Sequence, residues 1–267
     1  MKLHVLGSMF FGSFAIVALS TSAPLTVLGQ STKAKAAVTH PSAILVELFT
    51  SEGCSDCPPA DDLLRQVSGR RTPEGQLIVG ISEHVSYWNS LGWKDPFSSD
   101  LNTERQNAYS NHFGLDSIYT PQMVVNGREQ FVGSDRRAFE NALKAESGRS
   151  QVTLQINSAT VVDRSITFSY SASDLGNEGT LQLVAALVDD MDESNVLRGE
   201  NSGRKLTHVA VARVLTPLGA LREVKNHSIT LPVPPSFLSN PGSGHHLVLF
   251  AQRSGPGAVM AVDTTPI

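Results

Sequence analysis

Hydrophobic positions along the chain change period near residue 148. Before that point, apolar runs the length of a strand alternate with stretches of helical spacing. Ala43–Thr50 (AILVELFT) is almost unbroken, as expected of a strand buried on both faces. Ser51–Pro59 reads as a turn entering a helix that reaches about Val67. Pro58 and Pro59 belong in its first turn, where backbone N–H groups have no intrahelical partner anyway. Leu77–Ser82 is a second short apolar strand. Strand, helix and strand at this spacing predict a right-handed parallel βαβ unit. Residues 85–116 read as an insertion that holds Trp88 and Trp93, with a helix over Ser99–Phe113. Tyr119–Gly127 is a proline-led strand ending in Asn-Gly, a strong hairpin signal. A second strand over Gln130–Val132 and a helix from about Asp135 to Glu146 follow.

After Gly148 the period becomes two. Val152, Leu154 and Ile156 alternate with polar residues, as do Ile166, Phe168 and Tyr170. Leu181–Val188, Val209–Val214, Ser228–Leu231, His246–Ala251 and Ala258–Val262 are further short strands, with Gly, Asn, Asp and Pro between them. This predicts an all-β sandwich. The expected organisation is an α/β domain over 37–148 and a β-sandwich domain over 149–267, joined near Gly148–Gln151.

The first segment differs from both. Lys2 precedes an apolar run, Leu3–Leu19, and no Asp or Glu occurs before Glu47. Ala34-Lys35-Ala36 offers a small-x-small cleavage site. Together these predict a secretory signal peptide over 1–36, a mature start near Ala37, and a periplasmic or secreted location. An uncleaved anchor is the alternative, although the run is slightly short for a span of about 20 residues. No later stretch is apolar enough to span, so no membrane span is expected after cleavage. Hydrophobic content of 40% and charged content of 17% suit a soluble globular chain. A net charge of −4 without a basic run argues against a nucleic-acid partner.

Cys54 and Cys57 are the chain's two cysteines. In an oxidising compartment they could pair. So small a loop would stabilise the fold by only about 2 kcal/mol, less than a distant pair would give. The spacing therefore points to chemistry, with an inert disulfide and a metal site as alternatives.

A strand, a Cys-x-x-Cys opening a helix, a parallel strand and, much later, Thr120-Pro121 leading a hairpin resemble the thioredoxin superfamily. Phe49–Asp61 (FTSEGCSDCPPAD) is similar to the signature of a bacterial secreted family catalogued as domain of unknown function 1223. Further matching segments are His84-Val85, Tyr87-Trp88, Leu91–Trp93, Asp95–Phe97, Tyr119–Gln122, Arg198–Asn201 and Gly203-Arg204. Ser86 stands where that pattern has an Asp, which puts an acid role there in doubt. The resemblance implies a thioredoxin-like first domain, thiol–disulfide chemistry without a dissociable cofactor, and a cis Pro121 whose neighbouring backbone pairs with substrate.

The helix entrance favours a thiolate at Cys54, which makes it the expected nucleophile and the more exposed cysteine. Cys57, one turn in, would resolve the mixed disulfide. Successive parallel strands end on one sheet edge, and an antiparallel strand starts there, so Cys54, Cys57, His84 and Thr120-Pro121 should converge. His84 is a proton carrier, a soft-metal ligand with the cysteines, or a hydrogen-bonded surface residue. Trp88, Trp93 and Tyr119 are candidate substrate contacts, the tryptophans alternatively being core of the insertion. The polar, Gly-rich stretch Arg198–Lys205 reads as a solvated hairpin end rather than a cover. Glu47 is expected either buried beneath the disulfide, exchanging protons with Cys57, or exposed at a sheet edge. With Glu52 and Asp56 nearby and no basic residue in the motif, the pair is expected to be reducing. The leading expectation is an exported thiol–disulfide oxidoreductase acting on thiols or disulfides of proteins or small molecules. The alternatives are a non-catalytic binding module with a structural disulfide, and a copper-handling protein that uses Cys54, Cys57 and His84.

Overall fold

The computed structural model describes residues 42–149, 152–176, 179–238 and 244–267. The expected signal peptide at 1–36 lies outside them. β1 (Ala43–Thr50) is buried along its whole length. α1 (Pro58–Val67) carries its two prolines at the start and lays Ala60, Leu63 and Leu64 over Ile44, Val46 and Leu48 of β1. β2 (Leu77–His84) runs parallel to β1, with Thr50 opposite His84. The insertion forms a 3₁₀ turn at Tyr87–Leu91 and then α2 (Asp100–Phe113). The Ser99 hydroxyl caps α2 by accepting from the Leu101 N–H, and Gly114 ends it in the left-handed region. β3 (Gln122–Val125) and β4 (Glu129–Val132) form the expected hairpin across Asn126-Gly127, both at positive φ. α3 (Arg136–Glu146) follows, capped by the Asp135 carboxylate.

The second half holds β5 (Thr153–Val162), β6 (Ser165–Ser173), β7 (Leu181–Asn195), β8 (Lys205–Ala220), β9 (Val224–Pro232), the single turn α4 (Pro235–Leu238), β10 (His245–Arg253) and β11 (Val259–Pro266). β5, β6 and β9 make a three-stranded sheet. Its Leu154, Ile166, Phe168 and Tyr170 share a core with Leu183, Leu187, Leu247 and Leu249 of β7 and β10. The three-stranded sheet thus packs face to face on β7 and β10, but that larger layer is not the separate all-β sandwich expected from the alternation.

The boundary near residues 148–151 does not separate two sheets. Strands from both sides of it form one eight-stranded sheet in the order β11-β10-β7-β8-β2-β1-β3-β4, and His40–Ile267 is one compact unit. The physical reason lies in β7 and β8. They are 15 and 16 residues long, against a usual strand of about 5–6. One end of this ribbon serves the sandwich, while the middle of β8 lies beside β2, with Val211 opposite Ser82. Leu45, Val79 and Ile81 of β1 and β2 pack with Val184, Ala186, Val248 and Phe250 of β7 and β10, so the large sheet bends back over its own face. A mixed α/β architecture with a large sheet and few helices results. Among the described residues, no helix is long and apolar enough to cross a membrane.

Candidate functional site

The site forms where β1 and β2 end and β3 begins. Phe49 lies opposite Gln122 and Thr50 opposite His84, so the turn after β1, the end of β2 and Pro121 share one edge. α2 pins that edge. Asn102 donates to the His84 carbonyl at 3.0 Å, and Gln106 donates to the Tyr119 carbonyl at 2.7 Å. The Thr120–Pro121 peptide is cis. Cys54 and Cys57 form a disulfide with their Cα atoms 5.4 Å apart, and Cys57 is the residue that caps α1.

Both cysteines are buried. Cys54 is 1% and Cys57 0% exposed, so Cys54 is not the accessible residue expected from its place before the helix. The cover is the loop between β7 and β8. Asn201, itself buried, donates to the carbonyls of Glu52 at 2.9 Å and Cys54 at 2.8 Å. The Glu200 carboxylate accepts from the Ser55 N–H at 3.0 Å. Gly199 lies against Trp93, where an added Cβ would sit 3.2 Å from the Trp93 Cβ. The stretch 198–205 is thus a cover and not a free hairpin end. It can be one because the long β7–β8 ribbon carries its tip across the molecule to the cysteine turn.

Trp88 and Trp93 flank that turn, each half-buried. The Trp88 indole donates to the Thr120 hydroxyl at 2.8 Å, and its Cβ would lie 3.1 Å from a Cβ on Gly53. The Trp93 indole donates to the Glu52 carboxylate at 2.7 Å. Tyr119 donates to Gln130 at 2.6 Å on the β3–β4 hairpin, and burial pushes its hydroxyl up to about 12. The Ser86 hydroxyl donates to Asp100 at the start of α2.

Glu47 is buried, but not beneath the disulfide. It follows Leu45 and precedes Phe49 on the face of β1 away from α1. There its carboxylate accepts from Arg105 at 2.6 Å and from the Tyr109 hydroxyl at 2.6 Å. Its neighbour Glu83 is also wholly buried, 3.6 Å from Arg105. Burial first, and then the charge of Glu47, hold the Glu83 carboxyl well above the ordinary carboxylate range. The acid beside the cysteines is Glu52 instead. Its carboxylate accepts from Trp93, from the Ser194 hydroxyl and from His208 Nε2 at 3.2 Å.

His208 was not among the sequence candidates. It projects from β8 into the space between the cysteine turn and α1, with Nδ1 3.7 Å from the Asp61 carboxylate. Burial alone would strip its proton. Asp61 and Glu52 outweigh that and raise it to about 10. His84, wholly buried rather than on the surface, meets His208 edge to face at 4.5 Å between ring centroids. Its Nδ1 lies 2.7 Å from Asp95, whose carboxylate also accepts from the Glu52 N–H at 2.8 Å and the Phe97 N–H at 2.9 Å. Burial would raise Asp95, but His84 and these N–H donors hold it below the usual range. A protonated His208 supplies the cation that the motif itself lacks. Among the described residues, no group of three or more His, Cys, Asp or Glu is placed to hold a metal ion. In particular, His84 is turned toward Asp95.

Four residues of this constellation escaped the sequence reading of the site: Asp61 as a site acid, Asp95, Asn201 and His208; Glu52 was expected near Cys54 as a negative charge, but not as the partner of His208. One signal was available for His208. It sits between Leu206 and Ala210 in an alternating strand, at an inward position where a histidine needs partners.

The fold and the site define a mixed α/β protein with a covered disulfide at the entrance of its first helix. The chain belongs to the family described as protein of unknown function (DUF1223), whose model matches residues 45–252. Protein AGR_C_4864 from Agrobacterium tumefaciens, solved by X-ray crystallography, is 27% identical with a TM-score of 0.62; the match covers 84% of this chain and 94% of that one. HBP35 of Porphyromonas gingivalis gives a TM-score of 0.62 at 14% identity, covering 86% of this chain and 76% of that one, which is a likeness of fold alone. No curated protein matches the chain.

Proposed function

We propose that the protein is an exported thiol–disulfide oxidoreductase that works through Cys54 and Cys57. The observation that carries the reading is the disulfide at the start of α1, on the sheet edge shared with a cis Thr120–Pro121 peptide. The arrangement of β1, α1, β2, the β3–β4 hairpin and α3 supports a thioredoxin-like assignment for this part of the chain. Thiol attack at Cys54 would place the leaving electron pair on Cys57, where the helix N-terminus favours a thiolate. Export rests on the first 36 residues, with a mature start near Ala37. The substrate is a thiol or disulfide of a small molecule or protein.

The test is reduction of a model disulfide by the reduced protein. Cys54→Ser should abolish turnover, and Cys57→Ser should accumulate mixed disulfides at Cys54. Unchanged turnover in Cys54→Ser would refute the assignment. A second reading, a binding module with a structural disulfide, is favoured by the burial of both cysteines beneath Asn201. Cysteines that stay unreactive once reduced would support it.

A further inference from the structure

Among the buried polar groups around the cysteine turn, Asp61 and His208 each carry an atom without a hydrogen-bond partner. Asp61 lies four residues after Cys57 in α1, hence one turn on and on the same helix face. Helical side chains lean toward the N-terminus of their helix, so the Asp61 carboxylate leans over the turn that Cys57 begins. Asp61 is 6% exposed, and its Oδ1 has no hydrogen-bond partner. A buried carboxylate oxygen without a donor costs free energy unless something occupies it at another stage. On its other side is His208, 1% exposed, whose Nδ1 also lacks a hydrogen bond and stands 3.7 Å from Asp61. Nε2 of the same ring is held by Glu52 at 3.2 Å. His84 stacks edge-on from β2, backed by Asp95, and Asp192 lies opposite His208 on β7. The charged surroundings of His208 are therefore three carboxylates (Glu52, Asp61 and Asp192) and the His84–Asp95 pair.

We propose that Asp61 and His208 form a proton relay for Cys57, with His208 as the store and Asp61 as the carrier. The proposal rests on the oxidoreductase reading and deepens it. An incoming thiolate forms a bond to the Cys54 sulfur. The Cys54–Cys57 bond breaks and its electron pair leaves on Cys57. His208 Nδ1 passes its proton to the Asp61 carboxylate, which hands it on to that thiolate and leaves His208 neutral. A second thiolate of the reductant, its proton gone to solvent, then attacks the mixed disulfide, releasing Cys54 as a thiolate and the reductant as its disulfide. In the reverse direction Asp61 takes the Cys57 proton and makes Cys57 the attacking thiolate. Both cysteine sulfurs are buried, with Cys54 1% and Cys57 0% exposed, so a proton donor already in place shortens the route from solvent.

The test follows reduction of the full-length oxidised protein by dithiothreitol between pH 5 and 9, with the rate referred to the thiolate form of the reagent. Asp61→Asn and His208→Gln should each lower that rate about tenfold at pH 7. The deficit should grow with pH as solvent protons become scarce. Asp61→Glu, which keeps the carboxyl, should restore most of the rate. The double variant should be no slower than either single one, because both break the same chain. Profiles that superimpose on that of the unaltered protein, or losses that multiply in the double variant, would overturn the relay. An unaltered protein whose disulfide resists dithiothreitol at every pH would overturn the oxidoreductase reading itself, and the relay with it.

Discussion

His208 holds its charge where burial alone would remove it, and this has a consequence for stability. The folded state binds the His208 proton more tightly than the unfolded chain, whose histidines titrate near about 6.5. Its contribution is therefore fully present below that pH and is lost as pH rises through about 10. The melting temperature should fall between pH 7 and 10, and His208→Gln should flatten that fall; an equal slope in the variant would contradict the assignment. Glu83 carries the same sign on the other face of the sheet. Its raised carboxyl favours folding below the unfolded value of about 4.3, and the benefit is lost as pH rises through its folded value. Glu83→Gln keeps the shape without the charge. At pH 8 it should melt about 2–4 °C above the unaltered protein, the equivalent of roughly 1 kcal/mol in a chain of this size. A lower melting temperature would show that Arg105 needs both carboxylates. Single residues of this kind were poorly legible in the sequence. The pattern showed Glu47 to be buried or at an edge, but not that Arg105 and Tyr109, both some 60 positions on, would claim it. Nothing local to a strand names the partner that a distant helix brings.

At the scale of elements, the local signals were read well. The β1–turn–α1–β2 unit, the Asn-Gly hairpin and the helices over 100–113 and 136–146 all come from runs whose period or caps sit in adjacent residues. The cover over Cys54 was misread because its sequence, Arg-Gly-Glu-Asn-Ser-Gly-Arg, is as polar as a solvated turn. Its polarity is used on backbone carbonyls instead of water. Asn201 satisfies two of them at once, so the loop and the cysteine turn hold each other. Asn201→Ala removes both bonds and leaves the Glu52 and Cys54 carbonyls to find water. We expect a stability loss of about 1–3 kcal/mol. We also expect reduction of the disulfide by a small thiol to become several-fold faster, because the cover opens more often. Denaturant midpoints and dithiothreitol kinetics would read the two effects separately. A variant that is less stable but reduced no faster would show that Asn201 braces the turn without guarding it.

At the scale of the whole molecule, the change of period near residue 148 marked a change of layer more than a division between independent cores. Alternation by two reports which face of a strand is buried, but not which sheet the strand joins. Here the apolar face of β7 and β10 that looks away from the sandwich is covered by β1 and β2, so the first part of the chain completes a core for the second. The converse also holds. Without β8, the edge of β2 loses its neighbour, and without β7, β10 and β11, Leu45, Val79 and Ile81 lose their covering layer. Exposing three such side chains costs about 1.5–3 kcal/mol each, comparable in sum to the roughly 5–15 kcal/mol net stability of an ordinary domain. A fragment ending at residue 149 should therefore not hold a cooperative fold, even though it contains the cysteine turn, the cis proline and all three longer helices. The intact chain should unfold in a single calorimetric transition, with equal calorimetric and van't Hoff enthalpies. Two resolved transitions, or a 37–149 fragment with dispersed amide resonances and a sharp melt, would show that the shared layer contributes less than its burial implies.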